Sequence, residues 1–149
     1  MPIKLSPPVE KEFILAKTDQ LYGNDGSEPT MIRVRQASRG INELRDQRQM
    51  TMTQVIDSSR PQEIMYRDFV TMKSLYRYEV FLTLSDCNIL DSDGKPLFRF
   101  SVAGNRRVLD MSEANFNDAW NQLDEVVALE IIDFVHEVNI SWKNQGEAS

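Results

Sequence analysis

Residues 111–142 read MSEANFNDAWNQLDEVVALEIIDFVHEVNISW, two capped helical patterns that close on Asn-Ile-Ser-Trp. Ser112 stands where an N-cap is expected, with Met111 before it and Phe116 at the fourth helical position, the spacing of a hydrophobic staple. Asp124 offers a second cap. Beyond it Val127, Ala128, Ile131, Phe134, Val135 and Val138 recur at three- and four-residue steps, while Glu125, Glu130, Asp133 and Glu137 stay mostly off that stripe. The stripe must be covered, either by the rest of the chain or by a partner. Glu130 and Asp133 are expected on an exposed acidic face that steers that partner.

Working outward, residues 38–56 place Ile41, Leu44, Arg48, Met52 and Val55 on one helical face, a thin apolar stripe interrupted by a cation. Ser58-Ser59-Arg60-Pro61 ends this helix, and Pro61 suits the first position of the next because its missing N–H is not needed there. Met65, Phe69, Met72, Leu75 and Tyr76 continue at helical spacing. From Tyr78 the pattern fits both periods, since Tyr78, Val80, Leu82 and Leu84 alternate like a strand; the reading favours helix to about Leu84. Residues 87–98 form an Asp-Gly turn between apolar ends, with Gly94 at positive φ, in a small hairpin that returns Phe98 and Phe100 to the core.

Toward the N-terminus, Met31-Ile32-Arg33-Val34-Arg35 alternates apolar with basic, the signature of a strand with one wet face whose neighbour is not identifiable. Pro7-Pro8 and Gly23-Asn24-Asp25-Gly26 mark irregular chain, and residues 12–22 read as either a short strand or a poor helix. The expected organisation is an irregular, loosely packed arm over residues 1–30, a single domain over 31–142 and a polar, frayed tail over 143–149. The expected class is mainly α: one small helical domain with a short strand or hairpin element.

Length and composition narrow the function. With 149 residues there is one modest core. Hydrophobic residues at 41% and charged residues at 27% belong to a folded, soluble chain. A net charge of −6 and a pI near 4.8 repel phosphate backbones, so nucleic acid is not an expected partner. The single cysteine, Cys87, forms no intrachain disulfide, and no Cys/His cluster suggests zinc. No apolar run approaches a membrane helix, and MPIKLSPPVE lacks the apolar core of a signal peptide, so no membrane and a cytoplasmic location are expected.

Candidate chemistry is sparse. His136, the only histidine, could be a base or ligand, but a surface or boundary histidine facing the helix dipole is the ordinary reading. Cys87 reads as a buried structural thiol. Asp91-Ser92-Asp93-Gly94 begins like a calcium loop, but Lys95 and Val102 occupy the fifth and twelfth positions, where an EF-hand needs oxygen ligands, so a plain turn is expected. Arg33, Arg35, Arg39, Arg45 and Arg48 form one cationic cluster, either ion-paired with the interleaved Glu43 and Asp46 or open to an acidic segment or nucleic acid. Trp120 and Trp142 are anchors of core or of interface. No catalytic residue, metal or cofactor is expected, and an enzyme is the least supported class.

Several segments together resemble tail assembly chaperones of long-tailed bacteriophages. They are Glu28-Pro29-Thr30 leading into Ile32-Arg33-Val34-Arg35-Gln36-Ala37; Arg77-Tyr78-Glu79-Val80 followed by Leu82-Thr83-Leu84 and Cys87-Asn88-Ile89; Asp93-Gly94-Lys95-Pro96-Leu97-Phe98; Phe116 with Ala119-Trp120 and Leu123; and Val126-Val127-Ala128, Glu130-Ile131, Val138-Asn139 and Trp142. The likeness spans roughly residues 28–142 in short, degenerate motifs, and it departs at Ile140 and Asp124, where the pattern has proline. The resemblance implies a non-enzymatic protein of the infected bacterial host cytoplasm. It would bind the tape measure protein and keep its apolar helices soluble while tail tube subunits assemble. Seven methionines, among them Met50, Met52, Met65 and Met72, suit adaptable apolar contact but are also ordinary core filler. The expected protein-binding residues are Met65, Phe69, Met72, Tyr76, Trp120, Glu130, Asp133, Phe134 and Trp142. Two alternatives stay open: a structural virion subunit such as a connector or tail component, with homo-oligomeric interfaces, and a host-directed protein-binding regulator.

Overall fold

The alternation at residues 31–35 places a strand at the centre of the molecule. A computed structural model describes the backbone at residues 2–5, 9–23, 28–54 and 61–146, and the side chains there apart from 53–71 and 144–146. β1 is Glu10–Ile14 and β2 is Met31–Arg35, paired antiparallel from Glu10↔Arg35 to Ile14↔Met31. β3, Leu84–Cys87, pairs with the other side of β2, and the register shifts between Arg33 and Val34, so Ser85 sits at a bulge where its hydroxyl donates to the Arg33 carbonyl at 3.2 Å. The resulting sheet has the order β1-β2-β3. Ile32 and Val34 turn their fully buried side chains to the face that α5, Glu125–Val138, covers.

Between β1 and β2 the chain makes α1, Ala16–Tyr22, which ends at Gly23 in the left-handed conformation with φ 66°, a position that favours glycine. α2, Arg39–Gln54, and α3, Pro61–Thr83, pack against each other, and α3 runs without a loop into β3. β4, Phe100–Ala103, and β5, Arg106–Leu109, form a separate two-stranded hairpin that packs on β3. α4, Glu113–Trp120, α5 and α6, Ile140–Gly146, complete the described chain. Ser112 caps α4 by accepting the Asn115 N–H at 3.1 Å. Met111 packs against the cluster that contains Phe116, where the staple spacing put it.

The core gathers the buried faces of both halves. Phe116 lies between Phe98, Phe81 and Trp120, with ring centroids 5.3, 5.4 and 6.0 Å away, and Leu15, Ile131, Val135 and Trp142 extend the same cluster. Burying each such large side chain contributes about 1.5–3 kcal/mol.

The fold is therefore mixed α/β, with six helices and two small antiparallel sheets among the described residues, and not mainly α. Helical periodicity is local and shows in one stretch of chain. The strands are four or five residues long, and β2 finds its partners on either side of it only through the fold. β3 was masked by the helix that feeds it, and β4 and β5 lack clean apolar alternation. The N-terminal segment is also corrected. Most of residues 12–22 belong to both elements weighed for it, strand then helix, and Leu15 between them is fully buried rather than part of a loose arm. In the expected polar tail, Lys143 and the residues to Gly146 belong to α6.

Candidate functional site

The side chains most suggestive of chemistry are held inside. Arg45 of α2 and Glu79 of α3 are almost wholly buried, with Arg45 Nε donating to Glu79 Oε2 at 2.8 Å. The other carboxylate oxygen is 2.7 Å from His136 Nε2, and Tyr76 meets the same imidazole edge-on at 4.8 Å. Arg45 also donates to Gln49 at 2.9 Å and lies over the Trp142 ring, centroid distance 5.8 Å, while the Trp142 indole N–H reaches Asn42 at 2.7 Å. His136 is thus buried rather than at the surface or boundary, because Glu79 offers it an acceptor from across the helix packing. On α2 the buried position is Arg45 and not Leu44, which is exposed, because the pair with Glu79 makes an arginine acceptable inside; Ile41, Arg48 and Met52 of the expected stripe are half-buried.

Glu130 corrects the expected acidic face. It is only 5% exposed, and its carboxylate accepts the Lys17 and Thr18 backbone N–H groups at 2.9 and 3.0 Å and the Thr18 hydroxyl at 2.8 Å. It caps α1 from a helix more than a hundred residues away in sequence, a role no local pattern announces. Asp133 is exposed as expected. Asp124 precedes α5 without a side-chain cap and instead receives the Tyr22 hydroxyl, which raises the Tyr22 pKa above its ordinary value.

The remaining expected binding residues divide. Trp142 and Trp120 are core, Phe134 stacks on Phe13 at 4.3 Å, and Met72 and Tyr76 are half-buried. The Met65 and Phe69 side chains lie outside the described ones, as does Val55. Among the described side chains, the expected binding residues do not converge on one open surface. The arginine cluster also disperses. Arg39 pairs with Glu43 at 3.5 Å, and Arg45 meets Asp46 at 3.3 Å, as neighbours in sequence should. Arg33 reaches Glu12 at 3.7 Å, and Arg48 makes a two-pronged contact with Glu113 at 2.7 and 2.8 Å while covering the Tyr78 ring at 3.8 Å. Arg48 holds the Glu113 carboxyl below its ordinary pKa.

Cys87 is half-buried against the core, accepts the Ile89 N–H at 3.4 Å, and has its thiol pKa pushed up to about 12 by burial. Asp91 closes its turn by accepting the N–H groups of Asp93 and Lys95 at 2.9 and 3.0 Å, with Gly94 at φ 79°. Among the described residues no group of three or more His, Cys, Asp or Glu side chains could hold a metal ion, and no helix is long and apolar enough to cross a membrane.

What stays open is a groove of about 450 Å³ where α1, the 88–97 turn and the link from α4 to α5 meet. Ile89, Leu90, Leu97, Leu123 and Val127 give it an apolar surface, and Tyr22, Asp19 and Asp91 add polar groups. Asp19 is held by the Thr30 N–H at 3.1 Å and the Thr30 hydroxyl at 2.5 Å. A second cavity of about 310 Å³ shares Leu123 and is lined by Lys73, Arg77, Trp120 and Glu125, with Lys73 and Glu125 3.5 Å apart. Neither is lined by Arg45, Glu79 or His136. No family model, curated protein or solved structure matches this chain. Sequence reasoning missed the groove because its walls come from three distant stretches; the one local hint was an apolar Leu90 beside an Asp-Gly turn, where a polar residue is usual.

Proposed function

We propose that this chain is a non-enzymatic tail assembly chaperone of a long-tailed bacteriophage, acting in the infected host's cytoplasm. It binds the tape measure protein and keeps its helices soluble until tail tube subunits enclose them. The observation that carries the protein-binding part of this reading is the open groove around Leu90 and Leu123, an apolar floor beside carboxylates. Clefts of this composition accept apolar side chains of a partner helix. The ionisable groups of Arg45, Glu79, His136 and Glu130 are committed to internal contacts, which leaves them no evident task in catalysis. The phage assignment itself rests on the short-motif resemblance across residues 28–142.

The test is co-expression with the largest helical protein encoded nearby, capture through a tag on this chain, and analysis of purified particles. Capture of a tape-measure-like partner, with this chain missing from particles, supports the chaperone. Its presence in particles at fixed stoichiometry makes it a structural subunit instead.

A further inference from the structure

The three-stranded sheet ends at β1, and among the described residues no strand lies beyond it. The direction of its backbone groups follows from its flanks: the Gln36 N–H donates to the Val9 carbonyl at 2.7 Å, and the Leu15 N–H donates to the Thr30 carbonyl at 2.8 Å. Bonded residues alternate along an antiparallel ladder, so Lys11 and Phe13 also face β2, while Glu10, Glu12 and Ile14 turn their N–H and C=O groups outward. That edge lacks apolar cover as well. Phe13 stacks on Phe134 of α5 yet is only half-buried, whereas Ile32, its direct partner in β2, is fully buried. An unpaired edge of this kind is a template for a further strand.

The same chain carries a segment suited to it. Residues 2–5 read Pro-Ile-Lys-Leu, and Ile3 and Leu5 are 91% and 89% exposed, so neither side chain is packed within its own molecule. Two large apolar side chains two residues apart share a face in an extended strand. Pro2 stands where proline is admitted, at the first residue of an edge strand.

We propose that residues 2–5 of one copy add to the free edge of β1 in a second copy, antiparallel, with Lys4 opposite Glu12. The alternation of the ladder then dictates the faces. Glu12 lies with Arg33 on the wet face, so Lys4 does too, and Ile3 and Leu5 fall opposite Phe13 and Lys11 on the face that α5 covers. Directly opposed side chains stand about 4.5–5.5 Å apart at Cβ, which sets Ile3 against the open flank of the Phe13 and Phe134 stack. Leu5 meets the aliphatic stem of Lys11, whose ammonium stays in water. Backbone bonds and apolar cover select the occupant, and charge has no part in the choice. This contact goes beyond the chaperone reading and does not depend on it.

Analytical ultracentrifugation of the intact protein, from low to high micromolar concentration, should show self-association. Ile3→Ser combined with Leu5→Ser alters side chains that are exposed in the free molecule, so the fold, checked by circular dichroism, is kept while association weakens about tenfold or more. Glu12→Pro removes an outward N–H at an edge position and should weaken association to a similar degree. The deciding measurement mixes two single variants, Lys4→Cys and Glu12→Cys, under oxidation. A disulfide between the two introduced cysteines, mapped by mass spectrometry, joins different molecules and fixes the register. A monomer at every concentration overturns the proposal, and so does association that survives the paired serine substitutions or a mixture that forms no such bridge. If Glu12→Pro does not fold, the serine variant and the cysteine mixture still decide. Capture of a tape-measure-like partner plays no part in these outcomes, so the chaperone reading stands or falls separately.

Discussion

Removing the Glu79 carboxylate should destabilise the protein more than any surface substitution. Glu79 is fully buried, Arg45 is 1% exposed, and the carboxylate serves Arg45 at 2.8 Å and His136 at 2.7 Å. Glu79→Ala takes away the fully buried carboxylate that faces the Arg45 guanidinium inside the protein. Breaking a buried ion pair by deleting one partner costs about 3–5 kcal/mol. Domains have only about 5–15 kcal/mol of stability, so the variant should lose roughly a fifth of it or more, and its Tm should fall by roughly 10 °C. Urea unfolding followed by circular dichroism measures the change directly. The reasoning also predicts the repair: Arg45→Met combined with Glu79→Leu should recover most of the loss, because the cost lies in a buried charge deprived of its buried carboxylate and not in the missing contact itself. Glu79→Ala within about 1 kcal/mol of wild type, or a double variant no better than the single one, would refute it.

Three further outcomes follow from the same contacts. Glu130→Ala should cost about 2–3 kcal/mol by uncapping α1, whereas Asp133→Lys, at an exposed position on the same helix, should stay within about 0.5 kcal/mol; equal unfolding midpoints would show that Glu130 does not cap α1. Because Arg48 depresses the Glu113 pKa, this group's stabilisation is fully present above its unfolded pKa, about 4.3, and is lost as pH falls through its folded value; Glu113→Gln should therefore narrow the difference in urea midpoint between neutral and acid solution. Cys87, with its pKa near 12, should react with a thiol-exchange reagent at pH 8 about three orders of magnitude more slowly than free cysteine; labelling at the free rate would mean that the core edge opens readily.

Local chemistry alone determined much of the helical framework. Ser112, Pro61 and Asp124 mark helix starts that depend on a few neighbouring residues, and the structure begins α3, α4 and α5 at Pro61, Glu113 and Glu125. The alternation that leaves Arg33 half-buried while fully burying Ile32 and Val34, and the Asp91 to Gly94 turn, are legible for the same reason: each conformation is set within one short window. Tertiary structure decided what depends on residues far apart in the chain. It chose β1 and β3 as partners for β2, ended α3 where strand pairing replaced helical hydrogen bonds, and brought Glu79 between Arg45 and His136. It turned Glu130 from an expected surface charge into the cap of α1, and it assembled the groove around Leu123 from three separated segments. A carboxylate reads the same in sequence whether it meets water or a backbone N–H, because its surroundings are supplied only when distant elements pack.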